Sequence, residues 1–365
     1  MNIRCSYIVL VMLPIAVTVD SCNNYSPATE VSIRGNKFYI NGSPTYEDKS
    51  WNNYSIEGLL FNSRMVQGVF DDSNPATVDS WKYPDTGIWD TDRNTNEFVK
   101  AMESWYRSGM MSFTINLQGG SPDGFGNGEC VNSAFNEDGS LKRKYFTRLY
   151  RILKKSDQLG MVPIIGLFYF GQDQVLSDEQ AVINAVDNTI NWLFDTGFKN
   201  VLIEINNECN VNYDHEILMA ERVHELINRV KSTTREGEGF LVGTSYSGGT
   251  IPGKNVILSS DFFLLHGNGV DDPADLREMI RKTRVMPEYN AQPILINKDD
   301  HYAFEEEDYN LKAAIESNAS WGYFDYRRQG DSINEGFQSI PVDWGINSDR
   351  KKAFFGKLKE ITGGL

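Results

Sequence analysis

The sequence predicts an α/β fold, a (β/α)8 TIM barrel with an N-terminal β-hairpin. Three observations lead there. Eight apolar segments recur along the chain, most with an amphipathic helix behind them. They read as continuous apolar runs, the pattern of parallel strands buried on both faces, whereas a sandwich would alternate strictly. Every run also ends in a polar cluster, as expected where a barrel gathers its site at the strand C-termini. A doubly wound open sheet would more often carry a glycine-rich phosphate loop after its first strand, and Gly68-Val69-Phe70-Asp71 is not one.

The elements follow in order. Val31-Ser32-Ile33 and Phe38-Tyr39-Ile40 flank Arg34-Gly35-Asn36-Lys37, a hairpin pattern closed by Asn41-Gly42. Met65 to Phe70 reads as the first barrel strand, ending in Asp71-Asp72. A helix from Thr95 to Ser108 follows, with Phe98, Met102 and Trp105 at helical spacing. Met111 to Leu117 is the second strand, ending at Gln118, and its helix runs from Ser140 to Gln158. Met161 to Phe170 is the third, ending Gly171-Gln172-Asp173; Ser177 with Gln180 gives the next helix a capping-box spacing. Val201 to Ile205 is the fourth, with a helix over Asp214 to Ser232. Phe240 to Thr244, Phe262 to Leu265, Pro293 to Ile296 and Trp321 to Phe324 complete the eight, and Ser348 caps a last helix.

Ahead of the fold, Arg4 and the apolar run Ile8 to Val19 have the form of a secretion signal, too short to span a bilayer. Val19-Asp20-Ser21-Cys22 resembles the bacterial lipoprotein box, which implies acylation at Cys22. The expected organisation is a signal peptide over 1–21, a polar tether and hairpin over 22–50, and the barrel over 51–365. The expected location is extracytoplasmic, held at a bacterial membrane by lipid alone, with ordinary secretion as the alternative. A net charge of -15 argues against nucleic acid or anionic lipid as partner. A monomer is expected. Cys130 and Cys209 fall in loops on one barrel face, where they could pair or stay separate thiols.

The most informative stretch is Glu204-Ile205-Asn206-Asn207-Glu208, a buried strand that ends abruptly in amides and a carboxylate. A carboxylic acid there can protonate a glycosidic oxygen, while the adjacent amide holds the neighbouring hydroxyl. The other strand ends supply Asp72, Gln118, Tyr169, Gln172, His266, Asp299, Asp300, Trp321 and Arg327, and Trp89 sits in the long loop after strand one. Carboxylates, amides and aromatic faces suit a carbohydrate better than phosphate or acyl chemistry. No cofactor is implied. Asp299-Asp300-His301 could suggest a metal, but with four histidines in the chain no dedicated metal site is expected.

In these residues the chain resembles clan A of the glycoside hydrolases, the cellulase- and mannanase-like barrels. Glu204-Ile205-Asn206-Asn207-Glu208 matches the clan's Glu-Ile-x-Asn-Glu, supported by His266, Trp321 and the hairpin. The resemblance implies Glu208 as general acid/base and Asn207 as the contact to the sugar 2-hydroxyl. It also calls for a second glutamate at the end of strand seven, where this chain reads Ile296-Asn297-Lys298-Asp299-Asp300. The clan's arginine near strand two is likewise missing from Thr114 to Gln118.

The expected function is a glycoside hydrolase acting on a poly- or oligosaccharide, with a sugar-binding, inactive barrel as the alternative. Three readings of the partner to Glu208 stay open. Asp299 or Asp300 acts as nucleophile at a separation of about 5–5.5 Å. Or a more distant carboxylate (Asp71, Asp72 or Asp325) activates water across about 6.5–9.5 Å. Or Lys298 replaces the nucleophile, pairs with Glu208 and leaves a barrel that binds sugar without cutting it.

Overall fold

The computed structural model describes residues 25–124, 126 and 129–365. The signal segment and Cys22 lie outside the described residues. Eight strands form the barrel: β1 (Asn62–Ser63), β2 (Ser112–Asn116), β3 (Val162–Tyr169), β4 (Leu202–Asn207), β5 (Leu241–Gly243), β6 (Phe263–His266), β7 (Ile294–Lys298) and β8 (Gly322–Tyr323). β2 to β5 form one parallel ladder, β6 pairs with β7, and β8 pairs with β1, all parallel. Parallel bridges Arg64–Thr114, Ser245–Leu264 and Leu295–Ser320 join these groups and close the ring. The predicted TIM barrel is the observed fold.

A helix follows each strand: α1 (Thr91–Arg107), α2 (Arg143–Leu159), α3 (Glu179–Thr196), α4 (His224–Ser232), α5 (Lys254–Ser259), α6 (Pro273–Arg284), α7 (Asn310–Glu316) and α8 (Asp349–Thr362). Their starts are chemically marked. The carboxylates of Asp90, Asp178 and Asp272 accept the first free amides of α1, α3 and α6, and the Ser348 hydroxyl does so for α8. Ser177 is therefore not the cap of α3; its neighbour Asp178 is. The fourth helix also starts later than its pattern suggests, because Glu216–Leu218 forms a separate 3-10 turn.

The first strand needed correction. Met65, Val66, Val69 and Phe70 are fully buried, yet they are not the strand. The carbonyls of Gln67 and Gly68 accept hydrogen bonds from Asn94 Nδ2 and Thr95 Oγ1 of α1 instead of a ladder partner. An apolar run reports burial, and here burial comes from packing on α1. The ladder residues just upstream, Asn62 and Ser63, are buried but polar.

The barrel interior is graded from floor to mouth. Its floor is apolar: Leu60, Val162, Ile164, Leu202, Phe262, Leu264 and Leu295 pack around Phe38 of the hairpin (Val31–Arg34 paired antiparallel with Lys37–Ile40). The hairpin thus plugs the N-terminal end, where burying a ring such as Phe38 contributes roughly 1.5–3 kcal/mol. Above this floor the interior turns polar, with Asn62, Thr114, Asn116 and Glu204 fully buried. A polar interior opening at the strand C-termini is what a site requires.

Candidate active site at the barrel mouth

Six strands contribute to one polar cluster. Arg64 follows β1, Asn207 ends β4 with Glu208 just beyond it, Ser245 follows β5, His266 ends β6, Lys298 ends β7, and the apolar ring of Phe324 follows β8. Glu208 adopts φ 59°, the left-handed region that costs a side-chain-bearing residue about 1–2 kcal/mol. The strain is held by bonds to the next strand: Glu208 N donates to Ser245 Oγ (2.9 Å) and Cys209 N to the Ser245 carbonyl (2.8 Å). The kink matters because successive strand residues otherwise point to opposite faces. Here both turn inward, Asn207 to Arg64 across the barrel and Glu208 to β6 and β7.

The Glu208 carboxylate is nearly surrounded, with 6% exposure. Its Oε1 accepts from His266 Nδ1 at 2.9 Å and from Lys298 Nζ at 2.7 Å. Burial alone would push its carboxyl up, but the His266 hydrogen bond and the Lys298 charge outweigh it and hold the group far below the usual carboxylate range. Burial pushes His266 down to about 4, so the ring is neutral near pH 7. An ionised carboxylate only accepts, which assigns the proton to Nδ1 and leaves Nε2 a bare acceptor. Lys298 Nζ also lies 5.3 Å from the centre of the Phe324 ring.

Arg64 was missed in the sequence because it precedes the run mistaken for the first strand. It is fully buried, donates through Nη2 to Asn207 Oδ1 (2.7 Å) and through Nε to Gln338 Oε1 (3.2 Å). Around these contacts, Arg64 Nη1, Asn207 Nδ2, His266 Nε2 and Glu204 Oε2 are buried atoms with no hydrogen-bond partner. Buried polar groups are rarely left so. Two unsatisfied donors and a bare acceptor are the hydrogen-bonding groups that a polyol would match.

The remaining predicted residues lie elsewhere. Asp299 faces the helix layer: Oδ2 accepts from Trp321 Nε1 (2.8 Å), and Oδ1 from His301 Nδ1 (2.7 Å) and Asn310 Nδ2 (3.3 Å). The structure thus corrects both the nucleophile role for Asp299 and the substrate contact expected of Trp321, which is fully buried against Phe304 and Phe354. Gly267 makes room for this arrangement, since a Cβ there would meet Asp299 Oδ2 at 2.5 Å. Asp300 is half-buried, with Oδ1 3.6 Å from His301 Nδ1, and burial raises its carboxyl. Asp299, Asp300 and His301 form the one group of three possible metal ligands among the described residues.

Several predicted sugar contacts serve the loops instead. Asp72 accepts four hydrogen bonds, from Asn74 N, Val131 N, Thr77 Oγ1 and Trp81 Nε1, which uses up its acceptor capacity. Gln118 and Gln172 are buried and tied to Ser133, Asn132 and Cys130. Tyr169 OH lies 3.1 Å from Ser121 Oγ. Arg327 donates to the carbonyls of Ile340 and Pro341. Trp89 stacks on Tyr83 at 5.4 Å. The candidates for water activation are engaged too: Asp71 with Arg148 (2.9 Å), and Asp325 with Arg350 (3.1 Å) and the hydroxyls of Tyr323 and Tyr302. Cys130 and Cys209 are separate buried thiols, each pushed up to about 12 by burial.

A surface groove of about 560 Å³ lies between Tyr83, Arg93 and Trp344. In its lining Arg93 pairs with both Asp85 and Glu97 at 2.8 Å. Among the described residues the mouth gathers four orphaned buried atoms, on Arg64, Asn207, His266 and Glu204, against the single Tyr83 hydroxyl in the groove, which makes it the better candidate.

No family model matches this chain, and no curated protein matches it. Solved structures do. A putative glycoside hydrolase from Bacteroides vulgatus aligns with TM-score 0.56 and 10% identity over 91% of this chain and 61% of its own length. A GH5-4 broad-specificity endoglucanase from Bacteroides salanitronis aligns with TM-score 0.55 and 12% identity over 83% and 93%. An endo-1,4-beta-mannanase from Rhizomucor miehei gives 0.54 and 10% over 92% and 99%. At such identities the likeness is one of fold: this chain has the barrel architecture of the glycoside hydrolases.

Proposed function

We propose that this protein is a carbohydrate-binding barrel of glycoside-hydrolase architecture in which Lys298 holds Glu208 as a permanent carboxylate, so that the mouth binds sugar without cutting it. The contact of 2.7 Å between Lys298 Nζ and Glu208 Oε1 carries this reading. A general acid must hold a proton near neutral pH, and the Lys298 charge with the His266 hydrogen bond removes it. A retaining mechanism needs a carboxylate where Lys298 stands. Asn207 Nδ2 and His266 Nε2 supply sugar contacts in either case.

A second reading keeps hydrolysis at the same mouth. It would need Asp300, whose carboxyl is raised by burial but which lies beside His301, to reach the mouth as proton donor with Glu208 as the base. Hydrolysis of a polysaccharide panel separates the two. The binder reading expects glycan retention on affinity gels with no release of reducing sugar by the wild type. It also expects Lys298→Glu to gain sugar release, and Glu208→Gln in that background to abolish it. Hydrolysis by the wild type that is lost in Asp300→Asn would establish the second reading instead.

Among the described residues no helix is long and apolar enough to cross a membrane. We further propose that Cys22 carries a lipid anchor and that the barrel is monomeric. Fatty-acid labelling that Cys22→Ser eliminates, and light scattering of the soluble barrel, test these points.

A further inference from the structure

The chain is fixed to the barrel from Tyr25 onward, and where it is fixed decides which face can meet a membrane. The Tyr25 hydroxyl donates to Asp157 Oδ2 (2.5 Å) in the last turn of α2, and its ring lies 6.3 Å from that of Phe198. The amides of Ala28 and Thr29 donate to Asp157 Oδ1 at 3.0 and 2.7 Å, and the Thr29 hydroxyl donates to the Asp157 carbonyl. Pro27 packs beside Gly197, the residue that follows α3. Val31 N then donates to the Lys199 carbonyl as the chain enters the hairpin that plugs the floor. Residues 25–31 therefore lie across the ends of α2 and α3, at the floor. Cys22 stands three residues ahead of Tyr25, and three residues span at most about 11 Å. α2 is 17 residues long, which sets floor and mouth about 25 Å apart. A bilayer surface at Cys22 lies within that short reach of the floor, whereas turning the mouth against it would need more than twice the reach.

The distribution of charge points the same way. Every helix of such a barrel runs from mouth to floor, so the preference of acids for helix starts and of bases for helix ends adds up along one axis. α6 shows this within one helix, with Asp272 and Asp275 at its start and Arg281, Lys282 and Arg284 in its last turn. Asp90 and Asp92 open α1, Asp178 and Glu179 open α3, and Arg229 and Lys231 close α4. Glu305, Glu306 and Glu307 add exposed carboxylates at the mouth, in the loop from β7 to α7. The net charge of -15 is thus weighted toward the rim. An anionic bilayer repels that rim on contact, but from about 25 Å away the repulsion is screened, since the Debye length is about 8 Å in physiological salt.

Resting on the proposed Cys22 anchor, we propose that the floor of the barrel, at the ends of α2 and α3, is the face held against the lipid bilayer, and that the mouth opens away from it. On the carbohydrate-binding reading, the glycan that reaches the mouth then comes from the surroundings and not from glycolipid headgroups of the same membrane. The test uses the mature, fatty-acylated protein in vesicles of phosphatidylcholine and phosphatidylglycerol that carry an acceptor-labelled lipid. A donor dye is attached through Thr234→Cys at the floor or Glu306→Cys at the mouth, both exposed positions, while the buried Cys130 and Cys209 stay unlabelled. Energy transfer from the Thr234 site should exceed that from the Glu306 site at least about twofold, for ends about 25 Å apart. A Gly-Ser insert of about 20 residues ahead of Tyr25 spans about 25 Å by itself and should lower the Thr234 signal. Equal transfer from the two sites, or stronger transfer from Glu306, overturns the orientation while leaving the anchor in place, and so does a Thr234 signal that the insert leaves unchanged. Absence of both fatty-acid labelling and vesicle binding overturns the anchor reading, and this inference with it.

Discussion

The ends of β4 and β7 make an instructive pair. Each closes with two polar residues in succession, Asn207-Glu208 and Lys298-Asp299. At β4 the left-handed backbone of Glu208 breaks the alternation, so both side chains reach the barrel interior. At β7 a register irregularity sets Lys298 opposite His266, and alternation then turns Asp299 outward to Trp321 and Asn310. A carboxylate one position along therefore serves the helix layer, and the mouth receives an ammonium. Which face a residue meets is decided by one backbone torsion or one bulge, and that face decides whether it does chemistry or holds the wall.

The strongest way to break this contrast is to remove the ammonium. Lys298→Met leaves Glu208 buried without its main counter-charge, and urea unfolding near pH 7 should show a loss of about 3–5 kcal/mol. Because Glu208 is depressed in the folded protein, its contribution is present above the ordinary value of 4.5 and is lost as pH falls through the folded value. The deficit of Lys298→Met should therefore narrow below about pH 4.5. A deficit independent of pH would assign the loss to packing.

Asp299→Asn addresses the outer face. It removes the charge from a carboxylate that Trp321, His301 and Asn310 all contact, for an expected loss of about 1–3 kcal/mol and no change in glycan affinity. A fall in affinity as large as that of a mouth variant would mean that Asp299 belongs to the site after all.

A smaller effect sharpens the same point. The Asp299 hydrogen bond raises His301 to about 9. A raised histidine stabilises the fold fully below its ordinary value of 6.5 and loses that contribution as pH rises through 9. Unfolding free energy should thus decline across this window in the wild type and run flatter in Asp299→Asn. The smallest expected effect concerns Cys130 and Cys209. Buried and raised to about 12, they should resist thiol reagents in the native protein and react only in denaturant, and reductant should leave the melting temperature unchanged.

Much of the barrel was legible because its signals are local. Continuous apolar runs mark strands buried on both faces, and the Ser348 cap and the hairpin rest on short-range chemistry. Glu208 and Asn207 were legible for the same reason, as polar groups ending an apolar strand. Arg64 was not. A buried arginine needs partners that lie far away in sequence, here Asn207 and Gln338, and nothing beside it announces them. Asp72, Gln172 and Trp321 misled for the converse reason: a polar or aromatic residue near a strand end looks the same whether it meets a ligand or ties down a loop.

By itself, the sequence determined that eight buried parallel strands would form, that Glu208 would stand at the open end of the fourth, and that a lysine stands at the end of the seventh. Those facts depend on residue type and periodicity. Only the tertiary structure decided that Lys298 meets Glu208 at 2.7 Å while Asp299 turns away, and that Arg64 reaches Asn207 across the barrel. The physical reason is that charge becomes decisive through distance and desolvation, and both are set by strands brought together from distant parts of the chain.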